Sequence, residues 1–345
     1  MKNLGLRRLL RAIQGALWRT GVTIGCTASL LVMPFTAYAA TGGGLFGQSR
    51  PAGTGGITAI DGAAGGGIVP WALIAGYGGP GQIGFTASYT HASTADYNAN
   101  GYGVAAGIDN RVEVSLTQQN FDLGNTGPYI ATTLLPRADT GGTCAPDSGS
   151  VCAPGAALQN NAAINQDIIG VKVRVFGNAL AQGTWMPQVA VGAQYHHNED
   201  ATLMRDLGAK ASGTSYYLAL TKVWLKGLLG HVTLLDFTLD ATRANYNGLF
   251  GFEGPTDARR YHYEPEVSAG VFLDPHVVVG GEYRAMPQNE LAVGPAVSQS
   301  NAWKDVFMAY IPNKNVSLTL AYAMLGHIAG IPNSNGLYTS VTASF

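Results

Sequence analysis

Charge is scarce in this chain of 345 residues: Asp, Glu, Lys and Arg make up 12%, about half the share found in ordinary globular domains. Beyond the first 39 residues no basic patch suited to nucleic acid occurs, which argues against such a partner. Cysteine is rarer still, at Cys26, Cys144 and Cys152. Beyond the first 39 residues no apolar run reaches the roughly 18 residues that a membrane-spanning helix needs. No G-x-S-x-G motif is present, and no serine is tied by spacing to His231, His262, His276 or His327. Nothing therefore marks a hydrolytic nucleophile. The glycine-rich Gly76–Gly81 (GYGGPG) is followed by a strand pattern from Gln82 rather than a helix, so it reads as a turn and not a dinucleotide loop. No catalytic residue, cofactor or metal is expected.

Glycine and tyrosine, by contrast, are abundant, at 47 and 16 residues. The first residues carry Lys2, Arg7, Arg8, Arg11 and Arg19 with no acid, then an apolar run from Gly21 to Phe35, then Ala37-Tyr38-Ala39. This is the pattern of a secretory signal peptide cleaved after Ala39. Cleavage would leave 15 basic against 21 acidic side chains, a net charge of −6. Cys144 and Cys152 would then sit in an oxidising compartment, within a Gly/Pro-rich stretch, and are expected to form a loop-pinning disulfide.

Period-two alternation is the dominant signal. In Gly336–Phe345 (GLYTSVTASF), Leu337, Val341, Ala343 and Phe345 share one face while Tyr338, Ser340, Thr342 and Ser344 share the other. A strand of this kind ending on Phe345 resembles the closing strand of Gram-negative outer-membrane barrels. That resemblance implies that Phe345 is part of an assembly signal read by the barrel-assembly machinery. Similar alternation recurs from Gln82 onward, at Tyr102–Ile108, Val112–Leu116, Ile169–Val175, Val189–Tyr195, Gly213–Val223, Val232–Ala244, Tyr261–Leu273, Val277–Ala285, Trp303–Ile311 and Val316–Met324. Short turns (Asp109-Asn110, Asp274–His276, Pro312–Lys314) alternate with long polar connections, as in membrane barrels. With Ile68–Tyr77 as a first strand the count is thirteen. An even number is the rule, so about fourteen strands are expected, with twelve as the alternative. Pro187 and Pro265 sit awkwardly inside two of these strands.

The fold expected is thus an all-β transmembrane antiparallel barrel: signal peptide 1–39, a glycine-rich segment 40–67 that is either a plug or a short first strand, and a barrel over 68–345. The segments GGITAIDGAAGGGIVPWALIAGYG (Gly55–Gly78), QIGFTASYT and GYGVAAGIDNRVEVSLTQQNF resemble the proteobacterial family known as domain of unknown function 3034. The resemblance implies an exported outer-membrane protein and brings no activity, cofactor or catalytic residue.

If the apolar alternates face lipid, Lys172, Arg174, Gln188, Gln194 and His196 face inward on one arc, and His262, Glu264, Glu266, Glu282 and Arg284 on another, with Asp236 and Asp240 between them. These charges would line a narrow aqueous path, pair across the lumen and shut it, or sit hydrated in a wide pore. His196 and His197 are neighbours on a strand and so diverge, which disfavours a metal site in His196–Asp200. Trp71, Tyr77, Trp185, Trp224, Trp303, Tyr310 and Phe345 are expected in interfacial girdles. Three functions follow as expectations. The first is passive passage of a small solute through a polar lumen. The second is a closed structural or adhesive barrel presenting loops. The third, a lipid-modifying enzyme, lacks any nucleophile signature.

Overall fold

Each run of alternating residues becomes one strand of a wall that closes on itself. The computed structural model describes residues 45–124, 163–254, 260–289, 291 and 298–345. Residues 1–39, Cys144 and Cys152 lie outside the described residues. The strands are β1 (Ile83–Thr94), β2 (Asn98–Ile108), β3 (Val112–Asp122), β4 (Ala163–Phe176), β5 (Gln188–Asn198), β6 (Ser212–Trp224), β7 (Thr233–Thr242), β8 (His262–Phe272), β9 (Val277–Arg284), β10 (Trp303–Asn313), β11 (Val316–Met324) and β12 (Asn335–Ser344). A single-turn helix, α1 (Ala201–Asp206), lies between β5 and β6. Every strand pairs antiparallel with its sequence neighbours. β12 returns to β1, from Ser344 against Thr86 to Gly336 against Thr94. The Phe345 carbonyl completes the seam by accepting the amides of Tyr77 and Phe85, each at 2.9 Å.

The wall therefore has twelve strands, not about fourteen. The apolar run Ile68–Tyr77, expected as the first strand, makes no wall strand, and Gly56–Asp61 contributes a single isolated bridge at Thr58. Both lie within the lumen. A run buried on every side has no wet face, so its lack of strict alternation was the distinguishing sign.

Local chemistry explains the turns. Asp109 and Asn110 both take left-handed backbone (φ 56° and 45°), the geometry of a type I′ hairpin whose twist matches its strands. Asp274 Oδ1 accepts the amides of His276 (2.6 Å) and Val277 (2.9 Å), an Asx turn between β8 and β9. Pro187 falls just before β5. Pro265 lies inside β8, beside the end of the β8–β9 ladder, where its carbonyl accepts the Ala285 amide. There the missing N–H interrupts nothing.

Val104, Leu116, Val171, Val191, Phe237, Val306, Leu320 and Val341 are exposed on the outer face, while Thr, Ser, Gln and charged residues alternate inward and are buried. This is the arrangement of a wall between lipid and a polar interior. Among the described residues no helix is long and apolar enough to cross a membrane. Trp185 and Trp224 meet edge to face at the short-turn end, with centroids 6.3 Å apart. Trp71, Tyr77 and Trp303, expected in a girdle, are instead buried: the first two belong to the lumen segment, and Trp303 lies beneath the long-loop end.

Candidate functional site: the occluded lumen

A closed wall leaves no strand edge free, so a segment inside it must find side chains for its own amides and carbonyls. Residues 54–79, rich in Gly and Ala, form such a segment and are buried almost throughout. The inward residues of the wall bond its backbone. Glu113 on β3 accepts the amides of Ala64 (3.0 Å) and Ala75 (2.8 Å). Lys172 on β4 donates to the carbonyls of Ala64 (2.9 Å) and Leu73 (2.8 Å) and pairs with Glu113 at 3.1 Å. Thr221 accepts the Ala72 amide (2.7 Å), Gln188 donates to the Ala72 carbonyl (2.6 Å), and the Thr238 hydroxyl lies 2.8 Å from the Pro70 carbonyl. Gln119 bonds the Ile60 carbonyl (2.8 Å), and Glu282 accepts the Ile68 amide (2.7 Å).

Small residues let two chain passes fit inside. A Cβ on Gly66 would collide with Glu282 Oε1, and one on Gly62, which also needs φ +89°, would collide with Thr117 Oγ1. Arg50 ties the segment to itself, donating to the carbonyls of Ile74 (2.6 Å), Gly76 (2.9 Å) and Thr54. Burial pushes its guanidinium down to about 10, against a raising pull from Tyr77.

Arg284 is the second charge centre. Its guanidinium reaches Glu266 (2.9 Å), Asp61 of the lumen segment (3.4 Å) and Asp240 (3.8 Å), and bonds the Ile68 carbonyl (2.9 Å) and Asn247 Oδ1 (3.0 Å). Asp236 accepts from Thr221 (2.5 Å) and lies 2.9 Å from the Thr238 hydroxyl, whose one proton goes either to Asp236 or to the Pro70 carbonyl. His196 is buried with neither ring nitrogen hydrogen-bonded, and His197 points to the outside. His262 and Glu264 are half-buried at the long-loop end, and Arg174 is half-buried at the short-turn end, apart from both charge centres.

The structure thus brings Asp240, Glu266 and Arg284 together, sets Lys172 against Glu113 rather than against the acidic arc, and leaves Arg174, His262 and Glu264 outside these clusters. Glu113 shares its inward face with Ser115, Thr117 and Gln119 and was visible to the same alternation. Asp61 and Asn247 had no such signal, because neither belongs to a periodic strand.

The long-loop end is closed by apolar packing. Tyr97, Phe121, Leu123, Tyr246, Phe250, Met286, Trp303 and Ile328 are buried in one cluster with Ile68, Val69 and Trp71 of the lumen segment. Tyr97 donates to the Ile328 carbonyl (2.6 Å) and Tyr246 to the Gln299 carbonyl (2.8 Å). Burial pushes the Tyr246 phenol up to about 12.

No curated protein matches the chain. Among solved structures it is similar to the KdgM porin (TM-score 0.42, 8% identity, covering 75% of this chain and 99% of that one). It is also similar to an outer-membrane channel from Pseudomonas putida F1 (TM-score 0.39, 8% identity, 80% and 97% covered). The third is outer membrane phospholipase A from Escherichia coli (TM-score 0.35, 11% identity, 79% and 93% covered). These likenesses are of overall form and carry no residue across. The model of the family described as "Protein of unknown function (DUF3034)" matches residues 54–342, and so spans both the lumen segment and the wall. The chain belongs to this family.

Proposed function

We propose that this protein is an outer-membrane channel for small polar solutes, held closed by its N-terminal segment and opened when that segment shifts. The observation that carries this reading is the way the wall holds the segment: side chains of the inner face bond backbone amides and carbonyls, which are the groups a small polar solute also offers. With the segment displaced, Glu113, Lys172, Gln188, Thr221 and Arg284 would line an aqueous path able to orient charged or amide-bearing molecules. The reading is one of passage rather than catalysis. It includes export by a cleaved signal peptide, lipid around the outer face and the barrel-assembly machinery acting on the C-terminal strand as partners, and no nucleic acid or cofactor.

A closed barrel presenting its loops is the second reading, favoured by the apolar cluster that seals the long-loop end. Single-channel recording separates the two. The full-length protein and a form lacking residues 45–79 are folded, checked by heat-modifiable gel mobility, and placed in planar bilayers. The channel reading expects rare openings in the first and steady conductance in the second. Silence in both sinks it.

A further inference from the structure

A groove of 520 Å³ is cut into the outer face across β4–β8, a volume within the range of small-molecule sites. The strand register builds it. Val171, Ala193, Tyr216, Ala241 and Tyr263 stand in one row across the wall, each paired with the next. All of them lie on the outward alternation of their strands, so large and small side chains take turns. Each alanine thus floors a furrow between two taller neighbours. Leu218 and Leu239, paired two residues nearer the short-turn end, bound the groove on that side.

The furrow over Ala241 leads to a cation. On β7 the outward column runs Phe237, Leu239, Ala241 and then Arg243, just past the end of the strand at Thr242. The Arg243 guanidinium lies 4.5 Å over the Tyr261 ring, and that ring packs on Tyr216 with centroids 5.9 Å apart. Arg243 pairs with Glu253, and so does Lys210, at 2.8 Å. Two cations therefore share one carboxylate, and Arg260, exposed at the start of β8, adds a third. Glu199 and Asp200 turn the other way: the Glu199 amide donates to the Asn165 carbonyl (2.9 Å) and Asp200 Oδ2 accepts the Asn165 amide (3.4 Å), on β4. The corner above the groove is thus positive, at the level where tyrosines mark the headgroup boundary of a membrane barrel.

Packing decides what fills such a groove. Between apolar surfaces within a membrane there is no hydrophobic force, so the occupant is whatever makes the most dispersion contacts. A flexible acyl chain can follow furrows floored by alanine, whereas a second rigid wall would have to ride over Tyr216 and Tyr263, which stand exposed at 50% and 70%. We propose that the groove holds an acyl lipid with a net-anionic phosphate headgroup, drawn from the leaflet at the long-loop end. Its chains lie over Ala193 and Ala241, and its phosphate meets Arg243 and Lys210. A guanidinium fork matches phosphate oxygens, and basic clusters at a membrane face retain such headgroups. The inference rests on the outer face meeting lipid and not on passage through the lumen.

The test is native mass spectrometry of the full chain, folded in detergent, checked by heat-modifiable gel mobility and titrated with dioleoylphosphatidylglycerol or dioleoylphosphatidylcholine, which carry the same chains. Expected is saturable retention of the anionic lipid, about tenfold tighter than of the zwitterionic one. Ala241→Phe fills the furrow and should weaken that retention about tenfold, while Ala87→Phe, the same change on the outward face of β1 across the barrel, should leave it as it was. Arg243→Gln should remove the preference between the two lipids and keep the weaker binding. If Ala241→Phe does not fold, Ala193→Phe in the other furrow gives the same comparison. Equal retention in the furrow variant and in Ala87→Phe overturns the proposal, as does equal affinity of the unmodified chain for the two lipids. So does a dimer that the furrow variant dissociates and lipid does not, since the occupant is then a second copy. No readout depends on conductance, so failure here and failure of the channel reading are separate events.

Discussion

Replacing Lys172 with Met tests whether the wall's charges hold the lumen segment. The Lys172 ammonium touches Glu113 at 3.1 Å and the carbonyls of Ala64 and Leu73 at 2.9 and 2.8 Å, with both side chains of the ion pair almost fully buried. Methionine keeps most of the volume but removes the charge and all three contacts. Glu113 is left ionised with two amides, or protonated, and breaking a buried pair in this way costs about 3–5 kcal/mol. Every 1.4 kcal/mol is a factor of about ten, so release of the segment should rise by roughly 10²–10³·⁵. The loss falls on the segment more than on the wall, because β3 and β4 keep their ladder intact from Val112 against Val173 to Asp122 against Ala163. Amide exchange at Ala64, Ala72 and Ala75 should quicken by that factor while exchange in β3 and β4 barely changes. Glu113→Gln together with Lys172→Met should recover at least half of the loss, since the orphaned carboxylate is gone. Segment amides exchanging within about threefold of the unmodified rate in Lys172→Met would refute the reasoning.

Arg284→Met strands Asp61, Asp240 and Glu266 together, so its cost should match or exceed the roughly 3–5 kcal/mol of a single broken buried pair, read as a lowered urea midpoint. Gly66→Val drives a side chain into the Glu282 carboxylate; overpacking of about 1–3 kcal/mol should loosen the segment and raise the frequency of openings in bilayer recordings. Outside the wall, burial and then the neighbouring Asp167 and Asp200 raise the Glu199 carboxyl. Its ionised form therefore disfavours the folded loop, an effect absent below the ordinary carboxylate pKa and growing as pH rises through the raised one. Protection of the amides across residues 199–211, corrected for intrinsic exchange, should accordingly fall as pH rises above the ordinary carboxylate pKa, and Glu199→Gln should flatten that dependence.

The twelve wall strands were legible because a membrane wall imposes one rule on every residue: lipid on one side, lumen on the other, with period two between them. The same rule placed Lys172, Glu266, Glu282 and Arg284 on the inner face, and tight-turn chemistry at Asp109-Asn110 marked one end of the barrel. Ile68–Tyr77 misled because an apolar run says that a segment is buried, not what buries it. Inside the lumen this segment meets side chains from several strands and has no face to alternate. The choice of partners was also out of reach of the sequence. Lys172 meets Glu113 on the adjacent strand rather than the acidic residues opposite, and Arg284 finds Asp61 more than two hundred residues away. Those pairings depend on the curvature of a closed sheet and on the path of the segment within it. The sequence by itself determined a barrel with a polar interior. Only the tertiary structure decided that the interior is occupied, because filling a lumen is a matter of contacts between residues that no local periodicity links.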